Sequence, residues 1–355
     1  MKGGTKHSFY CFTLRSGKRT VHFGFIVLLS FMFFTSVAQD IHFSQFNFSP
    51  LNQNPANTGL FTGDYRFVGN YKNQWQSVPV AYNTASASAE MNFITLKNHD
   101  RISGGLCFYF DRAGDSKFTS SQLAYSMSYQ LNFGKRDAHT IAAGYQIGFV
   151  NRSFNYTALF FDNQFNGDGF DHRIPAGEDF SRTNFMFLDM SAGVTYNWHK
   201  GFRNSITIGA SVAHLNAPKQ SFYNNNSVRL NRRYTAHIRA QLKVAKKLDI
   251  VGEFLFQRQD VKQEFVPGVH LKTYVYNKGA SRIALNTGGY YRVGDAGAVL
   301  FGLDYNDLQV NFSYDINHSK FTPASRYNGG FEMSVIYIIA RLKKIEEKNI
   351  GCPIF

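Results

Sequence analysis

Apolar and polar residues alternate along most of the chain beyond residue 64. Between Leu123 and Phe133 the odd positions hold Leu, Tyr, Met, Tyr, Leu and Phe, while the even positions hold Ala, Ser, Ser, Gln and Asn. The same two-residue period recurs at 65–72, 234–244 and 310–317. Because successive side chains of a β-strand point to opposite faces, this period predicts strands with one apolar and one polar face.

Turn residues divide the alternating pattern into segments of strand length. The segments predict about fourteen antiparallel strands, near 64–77, 81–95, 101–112, 117–134, 138–153, 185–199, 203–215, 228–246, 248–259, 264–277, 281–294, 296–306, 308–317 and 328–342.

The predicted connections differ in length according to the side on which they lie. Those after even-numbered strands are short, whereas three of those after odd-numbered strands are long: Asn155–Asn184, Asn216–Ser227 and His318–Tyr327. Outer-membrane barrels have short periplasmic turns and longer outward loops. The chain is therefore predicted to be all-β, with a transmembrane outer-membrane β-barrel over residues 64–342. A soluble secreted β protein, with its polar face outward, is the alternative.

The first 38 residues predict a removable export signal. Five basic residues precede an uncharged run from Phe23 to Val37, and Ser36 and Ala38 are small residues at positions −3 and −1. We expect cleavage after Ala38 and residence in the cell outer membrane. A transmembrane helix is the alternative interpretation, but the apolar run is shorter than the roughly 20 residues that a span requires.

Composition and charge indicate which classes of molecule the protein binds. Aromatic residues make up 16% of the chain and charged residues 17%, below the roughly 25% of charged residues in average globular proteins. The formal net charge is +14, and loss of the five basic residues of the signal leaves 14 − 5 = +9. The remaining basic residues are scattered, and export conflicts with a nucleic-acid role. We predict outer-membrane lipid and no nucleic acid as partners.

No motif indicates catalysis, a cofactor or a metal. GxSxG, P-loop and HExxH motifs are absent from the sequence. Residues 162–168 are similar to a calcium loop, but Arg173 stands where an EF-hand needs Glu. Cys107 and Cys352 remain after signal removal, and whether they form a bridge stays open. We predict a protein that is not an enzyme, with no catalytic, cofactor-binding or metal-binding residues.

Motifs at both ends of the mature chain resemble those of the PorP/SprF family of Bacteroidetes membrane proteins. Near the start they are Gln45-Phe46, Asn54-Pro55-Ala56, Thr58-Gly59 and the NYKNQW segment at 70–75. Near the end they are the GGFEMS segment at 329–334 and the CPIF ending at 352–355. Ile354 departs from the family's CPRF-type ending, where Arg is common. The resemblance covers essentially the whole mature chain.

The resemblance implies an outer-membrane component of the type IX secretion system. Such a component helps export or surface-anchor secreted proteins, including gliding-motility adhesins, together with other subunits of the system and the secreted cargo. The alternative function is a transport barrel, either porin-like or a channel for hydrophobic solutes. By motif match, the positions expected to matter for structure or partner contact are Asn54, Pro55, Ala56, Gly59, Asn73, Gln74, Trp75, Gly330, Phe331, Cys352, Pro353 and Phe355.

Two segments flank the predicted barrel. The turn-forming pairs Asn54-Pro55 and Thr58-Gly59 predict that residues 39–63 form an ordered segment without strands, either periplasmic or tucked into the lumen as a plug. Trp75 is expected to anchor an aromatic girdle at the bilayer surface. Residues 343–355 are predicted to form a short periplasmic tail.

Overall fold

The computed structural model describes residues 40–74, 82–171, 173–178, 180–278, 281–319 and 327–340. Fourteen antiparallel strands close into a barrel, and each strand pairs with its neighbours in sequence. The predicted all-β barrel is therefore confirmed. The strands are β1 (Tyr65–Gln74), β2 (Tyr82–Thr95), β3 (Arg101–Ala113), β4 (Phe118–Phe133), β5 (His139–Ser153), β6 (Asn184–His199), β7 (Ser205–Ala213), β8 (Arg233–Ala245), β9 (Leu248–Gln259), β10 (Lys262–Lys278), β11 (Ser281–Arg292), β12 (Ala296–Tyr305), β13 (Leu308–Asn317) and β14 (Asn328–Ile339).

The first and last strands close the barrel. β1 pairs with β14 along its whole length, from Tyr65 opposite Ile339 to Gln74 opposite Gly330. The closed ring leaves no exposed sheet edge, which is the condition for strands to cross a bilayer. The predicted signal at 1–38 and the predicted tail at 343–355 lie outside the described residues.

Apolar side chains point outward from the barrel wall and polar side chains point inward. In β4, Leu123 and Tyr125 are exposed, while Ala124 and Ser126 are buried. The exposed large apolar residues recur on every strand of the wall, whereas the buried set is rich in Asn, Gln, Ser, Asp and Glu. A soluble β protein has the reverse arrangement, with an apolar interior. The outward face is therefore the lipid-facing belt of a membrane barrel.

The two ends of the barrel differ. The connections that follow even-numbered strands, such as 96–100 and 246–247, are short and lie at one end, here called the short-turn end. The opposite end carries three longer connections and is called the long-loop end: 154–183, 214–232 and 318–327. The barrel's first and last strand residues meet at the short-turn end.

The prediction that strand eight begins at residue 228 is wrong, because β8 begins at Arg233. The residues just before β8 instead pair with an earlier part of the same loop. Lys219 forms an isolated bridge with Arg229, and the N–H of Leu230 donates to the carbonyl of Pro218 at 2.9 Å. The alternation at 228–232 belongs to this loop pairing and not to the barrel wall.

The two longest loops pack against each other through aromatic rings. The ring of Phe222 lies 4.6 Å from that of Phe154 and 4.8 Å from that of Phe185, and the rings of Phe180 and Tyr223 are 4.7 Å apart. The two Phe222 contacts are edge-on, a geometry that stabilises aromatic pairs beyond the burial of their surface. The long-loop end therefore has an apolar core of its own.

Residues 41–63 form no strand. They contain three short helical turns at Phe46–Phe48, Pro50–Gln53 and Pro55–Asn57. In the part of the chain that the structure describes, no helix has the length and apolar character needed to cross a membrane.

Candidate functional site

Residues 41–63, here called the N-terminal segment, lie within the barrel against its inner face. Side chains that point inward hydrogen-bond the segment from β1, β2, β4, β6, β7, β8, β11, β13 and β14. Its apolar side chains are also buried, including Phe46 against β9 to β12 and Phe48 against β1 and β14. The candidate site is therefore the lumen together with the segment that lies in it.

Glu332 on β14 holds the beginning of the N-terminal segment. Its two carboxylate oxygens accept hydrogen bonds from the backbone N–H groups of Ser44 and Gln45, at 2.6 and 2.9 Å. The hydroxyl of Ser334 donates to the side-chain oxygen of Gln45 at 3.0 Å. Hydrogen bonds to a charged acceptor are among the stronger ones in proteins. Glu332 thus fixes the main chain of the segment.

The same carboxylate belongs to a buried cluster of charges. Lys72 on β1 stands opposite Glu332 in the register, and its Nζ lies 3.0 Å from the carboxylate and 3.7 Å from that of Asp315. Arg292 lies 2.8 Å from Glu264 and 3.8 Å from Asp315, which links it to the same cluster. Because a buried charge is costly without a partner, each member of this cluster depends on the others.

Asn54 joins the segment to β6 and β7. Its Nδ2 lies 3.0 Å from the carbonyl of Val194, 3.1 Å from the hydroxyl of Thr195 and 3.2 Å from the carbonyl of Ala210. Its Oδ1 accepts from the N–H of Ala56 at 2.9 Å, which caps the helical turn that begins at Pro55. Such a cap satisfies a backbone donor at the start of a helix.

Replacing Asn54 by alanine is expected to lower the free energy of unfolding by about 1–3 kcal/mol, because it leaves buried acceptors and one donor without partners. The midpoint of urea unfolding in detergent measures the change. Asn163→Ala, in an exposed loop, is the control and should shift the midpoint little. Equal midpoints for wild type and Asn54→Ala would contradict this role.

Pro55 and Ala56 pass so close to the wall that β5 has room only for glycine. Both residues are buried, and a Cβ added at Gly144 would lie 2.4 Å from the backbone nitrogen of Ala56. That distance is far inside van der Waals contact. Gly144 thus clears the space through which the Asn-Pro-Ala turn runs.

Gly59 binds the segment to β2 near the short-turn end. It has a φ of +69°, and its N–H donates to Glu90 at 3.0 Å. Glu90 is also paired with Arg66 at 2.7 Å, and Arg66 donates to the carbonyl of Asn57 at 3.0 Å. The positive φ favours glycine, so the motif position has a conformational reason to be Gly.

The motif residues from the two ends of the chain meet at the closing seam. Asn73 pairs with Phe331, and Gln74 pairs with Gly330, at the long-loop end of the contact between β1 and β14. The side chain of Asn73 donates to Asn83 on β2 at 2.6 Å. A Cβ on Gly330 would lie 2.7 Å from the carbonyl oxygen of Asn73. The structure thus brings four predicted residues together at the seam: Asn73, Gln74, Gly330 and Phe331. The other four described ones, Asn54, Pro55, Ala56 and Gly59, lie in the lumen.

Four of the predicted residues cannot be placed. Trp75, Cys352, Pro353 and Phe355 lie outside the described residues. Cys107 is buried on the inner face, and its Sγ accepts from Gln146 at 2.7 Å. A bridge between Cys107 and Cys352 is therefore not tested.

Sequence reasoning missed the inward-facing residues that hold the segment. They include Glu332, Lys72, Arg292, Glu90 and the pair Ser128 and Gln130, whose side chains donate to the carbonyl of Thr58. One signal was available, because Lys72 and Glu332 both lie inside the motifs already singled out at the two ends of the chain.

Asp100 stabilises the turn between β2 and β3. Its carboxylate accepts hydrogen bonds from the hydroxyl of Tyr129 at 2.6 Å and from the N–H of Asn132 at 2.9 Å, and also from the side chain of Asn98. These hydrogen bonds, led by that from Tyr129, hold the pKa of Asp100 below its usual value, although burial acts in the opposite direction.

Since the pKa of Asp100 is lower in the folded protein, its ionised form stabilises the fold above the unfolded pKa of about 3.9, and this contribution is lost as the pH falls through the folded value. The urea midpoint of unfolding should therefore decrease less between neutral pH and about pH 3 in Asp100→Asn than in wild type. Asp168→Asn, in an exposed loop, should leave that fall unchanged. Identical pH dependence in Asp100→Asn and wild type would contradict the assignment.

The loop that is similar to a calcium site has an ordinary turn geometry. The side chain of Asn166 accepts from the N–H groups of Asp168 and Gly169 at 3.0 and 2.9 Å. This is an Asx turn. Across the described residues, no group of three or more His, Cys, Asp or Glu side chains is placed to hold a metal ion.

Comparison with solved structures finds other outer-membrane barrels. The toluene transporter TbuX of Ralstonia pickettii is 10% identical, with 84% of this chain and 94% of that chain covered and a TM-score of 0.46. The toluene transporter TodX of Pseudomonas putida is 9% identical, with 81% and 92% covered and a TM-score of 0.45. BamA of Haemophilus ducreyi, lacking POTRA domains 1–3, is 8% identical, with 78% and 70% covered and a TM-score of 0.39. Similarity at this level carries no information about function.

Comparison with protein families gives a more specific result. The family described as type IX secretion system membrane protein PorP/SprF matches residues 35–337. A search of curated proteins found no match.

Proposed function

Because the chain belongs to the PorP/SprF family of type IX secretion system membrane proteins, we propose that it serves this system as a closed barrel without enzymatic activity. In this role it helps to export or surface-anchor secreted proteins, gliding-motility adhesins among them. The family and the barrel fold point to the outer membrane, and the family implies association with other secretion components.

The observation that supports a barrel with a blocked lumen is that the N-terminal segment occupies the lumen. Residues 43–59 contact inward side chains around the wall, and Glu332, Arg66, Gln130 and Ser211 each form at least one hydrogen bond to the segment's main chain. We propose that the segment is a plug. A plugged barrel acts through its ends and its outer surface, where cargo and other subunits can bind.

The predicted motif residues then divide into two structural roles. In this proposal Asn54, Pro55, Ala56 and Gly59 seat the plug. Asn73, Gln74, Gly330 and Phe331 close the seam between β1 and β14. Cleavage after Ala38 and a periplasmic tail at 343–355 remain part of the proposal, since those residues are not described.

Two measurements on the full chain test the proposed function. In a host with a type IX system, deletion of the gene should abolish surface display of a cargo, and re-expression should restore it. In planar bilayers, the purified barrel should show no steady conductance, and the cargo should co-purify with it. A large steady conductance, together with normal cargo display in the deletion strain, would replace this proposal with the transport barrel.

A further inference from the structure

Exposed basic side chains occupy successive turns at the short-turn end. They lie in the connections β2–β3, β4–β5, β6–β7 and β8–β9, which follow one another around the wall. We call this set the basic crescent: Lys97, Lys135, Arg136, Lys200, Lys246 and Lys247.

Acidic side chains beside the crescent are already engaged. Asp100 is buried and accepts hydrogen bonds from β4. Asp137 lies 2.9 Å from His99, and Asp249 is buried in an ion pair with Arg203. Within the described ranges, none of the six crescent residues forms an ion pair. The crescent therefore presents a net positive charge to its surroundings.

The crescent lies at the height of lipid headgroups. Three of the four turns place a basic residue within two positions of an exposed apolar side chain at the edge of the lipid-facing belt: Leu96 beside Lys97, Phe133 beside Lys135 and Val244 beside Lys246, with 39%, 41% and 58% of the apolar side chains exposed. Two strand residues span about 7 Å, close to the depth of one polar headgroup layer.

Aromatic rings lie directly beside the crescent. The rings of Phe133 and His139 stack at 5.2 Å, and those of His139 and Tyr196 at 6.1 Å. Aromatic girdles of barrels mark the membrane–water interface. The basic groups just beyond these rings therefore lie where phosphate groups are found.

We propose that the basic crescent binds the phosphate groups of anionic phospholipids in the leaflet around the short-turn end. Charge complementarity supports this occupant, since clustered Lys and Arg at a membrane surface attract anionic headgroups. The short turns favour lipid over an acidic protein partner, because connections of only two to five residues extend little beyond the ends of the strands. The inference requires the membrane barrel but not the role in secretion.

Spin-labelled lipids test the proposal on the purified full chain. The protein is reconstituted into phosphatidylcholine vesicles that contain a trace of spin-labelled phosphatidylglycerol or spin-labelled phosphatidylcholine, and the immobilised fraction is measured by electron paramagnetic resonance. We expect phosphatidylglycerol to be preferred by at least about fivefold at low salt, and the preference to fall as salt screens the charges.

Two matched variants localise the effect. Glutamine at all six crescent positions should remove the preference. Glutamine at six exposed basic positions of the long-loop end should retain it: Lys117, Arg173, Lys219, Arg229, Arg258 and Lys262. Heat-dependent gel mobility shows that each variant is folded. Absence of a preference in wild type, or an equal loss in both variants, overturns the proposal. So does a crescent variant that loses a secretion subunit while its lipid preference is unchanged, since that result assigns the crescent to a protein partner.

Discussion

Replacing Glu332 by glutamine is expected to lower the free energy of unfolding of the barrel by about 3 kcal/mol or more. The substitution keeps the side chain's shape but removes the charge that faces Lys72 at 3.0 Å. It also weakens the double hydrogen bond to the N–H groups of Ser44 and Gln45. Loss of one partner from a buried ion pair is costly because the other charge stays buried. Urea unfolding in detergent, followed by heat-dependent gel mobility, measures the effect.

Glu178→Gln is the matched control for Glu332→Gln. Glu178 lies exposed in the loop between β5 and β6, where a surface substitution changes stability by about 0.5 kcal/mol or less. If the two variants unfold at the same urea concentration, the charge cluster does not stabilise the barrel as the structure indicates.

Deleting residues 43–58 is expected to convert a barrel that does not conduct ions into one that does. The deletion removes the part of the N-terminal segment that fills the lumen and leaves every strand intact. Barrels of eight strands are filled by side chains, whereas those of 16 to 18 leave an aqueous channel. A wall of fourteen strands is close to the larger class, so the deletion variant should show a steady single-channel conductance in planar bilayers that wild type lacks.

A point substitution provides a second test in case the deletion variant does not fold. Gly144→Val places side-chain atoms where the backbone of Ala56 passes, at 2.4 Å for the Cβ alone, and should displace the segment and raise conductance. Gly69→Val is the control, because a Cβ there meets nothing within 4 Å. Folded Gly144→Val barrels that stay as silent as Gly69→Val would show that the segment does not close the lumen.

The barrel wall was predictable because its physics is local. Each strand alternates side chains between lipid and lumen, so the period appears in any short window, as at 123–133. The start of β8 was placed too early for the same reason, since the loop pairing of Lys219 with Arg229 mimics a strand locally. Local pattern does not distinguish the barrel wall from a folded loop.

The contents of the lumen were much less predictable. Turn-forming pairs indicated that residues 39–63 form no strand, but not which inward side chains hold them. Glu332 and Lys72 look like any polar residues of an alternating strand until β1 and β14 are paired. The need for glycine at position 144 appears only when Ala56 is placed against it. These features depend on contacts between distant parts of the chain.

The hydrogen bond between Ser44 and Glu332 joins residues 288 positions apart. This separation bears on the order in which contacts form during folding. Contacts that close long loops form late, because the entropy of loop closure must be overcome before they contribute. The beginning of the N-terminal segment gains its full set of hydrogen bonds only once β14 is in place, because Ser44 is bound by β11 and β13 as well as by β14. A chain that stops before β14 therefore lacks the carboxylate that binds the main chain at Ser44 and Gln45, so this double hydrogen bond is present only in a barrel whose last strand has been synthesised.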